Sequence, residues 1–246
     1  MLFKKSSAPP LNEEMTPAGH DIPVRLRRNA RARRLILRQD IKNGGFTLTL
    51  PKRASLTAAQ RFINDQTEWL IKHNSHIAPP RRFTDGDKIL YRGSDHLIVS
   101  RPDQTRGLIT VTNTEIHIPG DPAHLHRRLC DFIKTECRAA LAGRVREKAA
   151  RIGKTVRRIR IADQSTRWGS CSSTGTLSFS CRLIFAPDFV IDYLAAHEVA
   201  HMRHMDHGSD FWALCRRLCD DPARMTAAKE WLKQHQAALA RYDLRQ

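Results

Sequence analysis

The stretch "YLAAHEVAHMRHMDHGSDFW", Tyr193 to Trp212, places four of the protein's twelve histidines (His197, His201, His204 and His207) within eleven residues of an otherwise apolar run. Ile191, Leu194 and Val199 predict a core helix, and burying several imidazoles without partners is costly. The histidines therefore need a common partner. In "HEVAH", His197 and His201 are four residues apart, which on a helix means about 40° around the axis and one turn along it. Both rings then face one point, a spacing that suits two nitrogen ligands on a single zinc ion. Glu198 is rotated by about 100° from His197, so its carboxylate is held off that point, where a base beside an activated water belongs. With twelve His and eight Glu, chance places one H-E-x-x-H in such a chain about 2% of the time. Composition alone is a poor explanation of the motif.

Catalytic zinc takes three protein ligands and keeps one position open. His204 stays on the face of His197, but three side chains in line along one helix surround a tetrahedral ion poorly. His207 follows a predicted reversal at "MDHGSD", where Gly208 suits a tight turn and Ser209 or Asp210 the cap of a following helix. This geometry favours His207 over His204. Glu230 on the last helix is a weaker carboxylate candidate, and a surface charge is its simpler description. Phe211 and Trp212 are expected to anchor the turn in the core. Asp206 is a turn residue or a group that orients a ligand imidazole.

Working outward, a helix starting near Pro187 is preceded by three short strand patterns, "VRRIRIAD", "STRWGSCSS" and "TLSFSCRLIF", the last two joined at Thr174-Gly175. The segment around Leu177 to Leu183 is either an edge for an extended substrate or part of an ordinary core hairpin. Two helices follow, from near Ser209 and from about Pro222 to Tyr242, and a long amphipathic helix spans about Ala123 to Ile152. Before it, from Asp21 to about Pro119, the pattern is mostly strand-like. "RRLILRQDIKNGGFTLTLP" reads as two strands about Asn43 to Gly45, and one helix, "SLTAAQRFINDQTEWLIKHNS", has Thr57 placed to cap it. The expected organisation is a disordered tail over 1–20, a basic β-rich module over 21–119 and a metal-binding domain over 120–246.

The formal net charge of +17 attracts anionic partners over long range. Arg25 to Arg38 holds seven arginines and no acid, a candidate stripe for nucleic acid, although such faces are often only solvated. No run approaches the roughly 20 apolar residues of a membrane span, and the N-terminus has no apolar core after its lysines, so no membrane partner is expected and the cytoplasm is the expected location. The six cysteines form no C-x-x-C pair. Buried free thiols are expected, with a Cys171 to Cys181 disulfide as the minor alternative.

"TRWGSCSSTGTLSFSCRLIFAP" followed by "YLAAHEVAHMRHMDHGSDFW" resembles the YgjP-like family of zinc metallopeptidases. The matching residues are Arg167, Trp168, Gly169, Ser170 and Cys171, then His197, Glu198, His201, His207, Phe211 and Trp212. "NARARRLILR" and "PPRRFTDGDKI" extend the likeness through the N-terminal half. The resemblance implies an α+β, zincin-type fold with His197, His201 and His207 as Zn²⁺ ligands and a protein or peptide substrate. It is similar more distantly to SprT-like proteases that act on DNA-bound proteins. The expected chemistry is hydrolysis by zinc-activated water, with Glu198 moving the proton to the leaving amine. Arg167 and Trp168 are read as structural. A zinc hydrolase for a non-peptide bond, or a nucleic-acid-binding protein with structural zinc, are the opposing readings, and Glu198 favours an enzyme because a structural site has no use for an adjacent base.

Overall fold

The computed structural model describes residues 13–40, 44–74, 81–164 and 167–244. Most of the expected tail, Asn43 of the predicted turn and Pro79 and Pro80 lie outside these. The chain divides into two compact units, 1–80 and 81–246.

In the first unit, β1 (Glu14–Met15), β2 (Val24–Asn29), β3 (Ile36–Gln39) and β4 (Phe46–Pro51) form one sheet in the order β1-β2-β4-β3. β2 and β4 run parallel with Leu26 opposite Leu48. Alternation along both strands turns Val24, Leu26, Phe46 and Leu48 to one buried face. Residues 13–20, read from the sequence as the end of a tail, instead carry an edge strand. Glu14 stands opposite Arg25, and the Ala18 amide donates to Asn64 Oδ1 at 3.0 Å. The predicted single helix is two, α1 (Leu56–Asp65) and α2 (Thr67–Asn74). The Thr67 hydroxyl donates to the Asn64 carbonyl at 2.7 Å, taking an acceptor at the break. Ser55, not Thr57, caps α1 by accepting from the Ala58 amide.

The arginine stripe is also reshaped. Arg25 and Arg27 do point outward from β2, but Arg25 pairs with Glu14, and Arg28 donates to the carbonyls of Pro51, Lys52 and Ala54. Arg31, Arg33 and Arg34 are exposed in the connection that follows the strand.

The second unit begins with β5 (Lys88–Tyr91), β6 (Ser94–Arg101), β7 (Thr110–Val111) and β8 (Glu115–Pro119), in the order β5-β6-β8-β7. After α3 (Leu125–Ala150) come β9 (Arg158–Ala162), β10 (Gly169–Cys171) and β11 (Thr176–Ser180). Their order is β10-β11-β9, with β11 antiparallel to β10 and parallel to β9. Cys181–Phe185, expected to continue the strand, is a 3-10 turn leading to α4 (Asp188–Ala200), α5 (Ser209–Leu218) and α6 (Met225–Ala240).

The unit boundary at 80/81 lies well before the change of sequence period near Pro119. That change marks a passage from strand to helix inside one core, in which Ile98, Ile116 and Ile118 pack with Leu125 and Leu129. In α3, Leu129, Ile133, Cys137, Leu141 and Val145 are buried at four-residue intervals. Each such step turns about 40° around the axis, so the apolar stripe winds, and α3 packs against β8, β9, the 3-10 turn and α4.

Two contacts fix where α4 lies. At the tip of the β5–β6 hairpin the Arg92 amide donates to the Ile184 carbonyl at 2.8 Å, and the Gly93 amide to Phe185 at 3.0 Å. The Arg92 guanidinium bonds Asp188 at 2.6 Å. At the other side, the buried Lys148 ammonium stands 2.6 Å from Asp192, 2.7 Å from Asp220 and 2.8 Å from the Leu218 carbonyl, joining α3 to α4 and to the end of α5.

Gly93 has φ 86°, and a Cβ there would meet Pro187 Cγ at 2.5 Å, whereas Gly86, at φ 79°, has nothing within 4 Å. Gly86→Ala is expected to lose about 1 kcal/mol from the left-handed backbone alone, and Gly93→Ala clearly more. Urea unfolding of the two variants measures this, and equal losses would remove the hairpin contact from the stability of α4.

Candidate metal centre and its carboxylate

Helix α4 is buried nearly all round, with Val190, Ile191, Ala195, Ala196, Val199 and Ala200 at 0–1% exposure, as expected of a helix inside a core. Asp188 in its first turn follows Pro187, which occupies the N-cap. His197 lies in the last turn, and His201 is the C-cap. The chain then reverses, and α5 starts at Ser209 with Gly208 as its N-cap. No side-chain hydrogen bond caps it, contrary to the expected role of Ser209 or Asp210.

This reversal brings His207 back over the helix end. His207 Nε2 lies 3.3 Å from His197 Nε2, and one donor nitrogen from each of His197, His201 and His207 falls within 4.8 Å of the others, a group able to hold a metal ion. Two of the remaining ring nitrogens are engaged: His201 Nδ1 meets the His204 carbonyl at 3.0 Å, and His197 Nδ1 meets the Tyr193 hydroxyl at 3.5 Å. His204 thus contributes its carbonyl, and its ring is outside the triad, as is Glu230. Asp206 is exposed, and the groups found at the two Nδ1 atoms are the His204 carbonyl and Tyr193.

Phe211, with no exposed surface, places its ring centroid 4.9, 4.5 and 4.7 Å from those of His197, His201 and His207. The half-buried Trp212 is 5.7 Å from His207 and 5.9 Å from His197, with the Lys229 ammonium 3.7 Å over its ring. Burial, followed by the neighbouring His201 and His207 rings, pushes His197 down to about 3. Burial also lowers His201, against the opposing bond to the His204 carbonyl. Neutral imidazoles keep the lone pair that a metal requires.

Glu198 is 3% exposed, and its Oε2 is buried with no protein partner. Burial raises the carboxyl to about 8, and the Arg167 guanidinium draws it part of the way back. Gly169 on β10 lies directly against this side chain. The strand expected to offer a free edge, around Leu177 to Leu183, does not: β11 is central, paired on both sides, and β10 is the outer strand. None of the six cysteines is in a disulfide, and Cys171 is half-buried while the rest are buried. Burial, then Glu198, raises the Cys171 thiol to about 11.

Three residues at the site carry no role there in the sequence reading. Tyr193 precedes His197 by four residues and so shares its helical face, a signal that was present. Arg167 and Gly169 approach Glu198 from another element, and nothing local announces it.

No helix is long and apolar enough to cross a membrane among the described residues. Searches of curated proteins and of solved structures return no match. The model of one family, described as YgjP-like, metallopeptidase domain, matches residues 33–235. That span covers most of the chain and contains the three clustered histidines, Glu198 and β10, and the chain belongs to the YgjP-like family.

Proposed function

We propose that the protein hydrolyses peptide bonds in protein or peptide substrates at a Zn²⁺ ion held by His197, His201 and His207, with Glu198 as the general base. What supports this reading is that three imidazole donors converge in a group able to hold a metal ion, and that the residue next to His197, Glu198, carries a buried carboxylate oxygen with no protein partner. The 3.3 Å between His197 and His207 Nε2 equals, to about 0.1 Å, the separation of two nitrogens on one tetrahedral zinc with bonds near 2.0–2.1 Å. Three donors leave a position open, as in hydrolytic sites, where a structural site is closed by a fourth ligand. Zinc held there supplies a Lewis acid and lowers the pKa of water toward about 7. Glu198 accepts the proton that water gives up and delivers it to the departing amine. The fixed Nδ1 contacts of His197 and His201 orient the two rings. His207 is exposed, which leaves the centre open to substrate, and an extended peptide is placed along the outer edge of β10. Six cysteines outside any disulfide fit a reducing compartment such as the cytoplasm.

His207→Ala is expected to lose most of its zinc, while His204→Ala keeps one ion per chain. Metal analysis after dialysis reads this, and the reverse outcome would reassign the third ligand. Glu198→Gln is expected to keep the fold and the zinc and to lose at least about 100-fold in zinc-dependent casein cleavage. Near-normal cleavage would take Glu198 out of the mechanism.

A second role rests on the exposed Arg27, Arg31, Arg33, Arg34 and Arg38. We propose that they give a salt-sensitive affinity for nucleic acid, through which the enzyme reaches proteins held there. Each phosphate neutralised steepens the log-log salt dependence by about 0.9 on duplex DNA. Replacing Arg27, Arg31 and Arg33 with Ala is expected to flatten that slope in titrations of labelled DNA. An unchanged slope would leave these arginines as a solvated face only.

A further inference from the structure

Gly169 occupies a position where the backbone does not demand glycine. Its φ lies outside the left-handed region that Gly86, Gly93 and Gly175 adopt, and it is paired as an ordinary strand residue opposite Phe179. Space is what excludes a side chain. A Cβ at 169 would stand 2.7 Å from Glu198 Cδ and 2.8 Å from Cγ, and closer still to Oε1. Neither side can yield easily. Glu198 is 3% exposed on a helix buried nearly all round, and β10 is held by its pairing to β11, whose Phe179 has no exposed surface, and by the Ser180 amide, which donates to the Trp168 carbonyl at 2.8 Å. Gly143 and Gly153, by contrast, have nothing within 4 Å of a built Cβ.

We propose that Gly169 is a positioning residue for Glu198: the missing side chain on β10 is the socket in which the carboxylate is seated beside the histidine triad. A methyl group there fills the socket and drives the carboxylate off its place, leaving the three imidazoles untouched. The proposal rests on Glu198 being the general base, and its two halves, the packing and the chemistry, can be measured separately.

The test is a four-cornered comparison of wild type, Gly169→Ala, Glu198→Ala and the double variant, each in the full-length, zinc-loaded chain. Gly169→Ala is expected to lower the urea midpoint by about 0.5 to 1 M, the cost of overpacking a core. In the Glu198→Ala background the new methyl enters vacated space, and the midpoint is expected to stay or rise, since Gly→Ala also restricts the unfolded chain. Equal losses in both backgrounds would overturn the socket. If Gly169→Ala alone fails to fold, recovery of folding in the double variant supports the proposal, and failure of both overturns it. On casein, Gly169→Ala is expected to lower kcat by about tenfold or more with KM little changed and zinc content equal to wild type. A wild-type kcat, despite coupled stabilities, would overturn the positioning role. Should Glu198→Gln remain active, the reading of Glu198 as base fails by itself, and the stability cycle still reports on the packing.

Discussion

The convergence of the three imidazoles depends on one buried ring. Phe211 has no exposed surface and lies within 4.9 Å, centroid to centroid, of all three. A helix alone offers two histidines to one point, at His197 and His201. The third must return from outside, and exposed loops hold such returns loosely. Phe211 gives the return a fixed floor, because displacing it would expose a large apolar side chain or leave a cavity of the kind that costs about 3–5 kcal/mol. The helix that carries it is held at its far end as well, where the Leu218 carbonyl and Asp220 meet the buried Lys148. Helix α5 is therefore pinned at both ends to α4, once by apolar packing and once by charge.

These two pins differ in kind. Apolar packing around Phe211 tolerates small shifts, whereas the Lys148 group is unforgiving. An ammonium with no exposed surface costs several kcal/mol to desolvate, and three oxygens within 2.8 Å compensate only in one arrangement of α3, α4 and the end of α5. Burial raises the Asp192 carboxyl, with Lys148 opposing, while Lys148 lowers Asp220 against a weaker burial. The exposed partner is thus the more firmly ionised of the two. A residue of α3 with no part in the metal centre in this way sets where the helix following the third histidine ends.

How much of this was legible in the sequence follows from the range of each interaction. The H-E-x-x-H spacing, the return at His207 and the anchoring by Phe211 all lie within fifteen residues of one another, from His197 to Phe211, and helical geometry relates them directly. Strand order is different. "TLSFS" announces a strand, yet whether that strand is an edge depends on β9, which pairs with it from outside the hairpin. A substrate edge on β11 was therefore a reasonable expectation from the hairpin alone and wrong once β9 is counted. The compact units divide elsewhere than the change of period for a related reason: a change of period from two to 3.6 reports secondary structure, while a unit boundary reports which apolar faces share a core, and Ile98 and Ile116 share theirs with α3.

The contact between Gly169 and Glu198 is the least legible feature of the site, and the reason is general. Glycine in a sequence ordinarily signals a backbone need, a turn or a left-handed φ, and Gly44, Gly93 and Gly175 fit that signal. At Gly169 the need comes from another element 29 residues away along the chain, and the backbone conformation carries no trace of it. The adjoining sequence nonetheless bears the imprint of the same constraint. Cys171, two residues on and on the same face of β10, is half-buried, and its thiol is raised by burial and by the Glu198 carboxylate. Along this face β10 offers Glu198 first no side chain and then a small neutral one. A short outer strand of this composition lets an ionisable carboxylate lie against backbone, with the Arg167 guanidinium as a weaker opposing influence, which is how burial comes to dominate its titration.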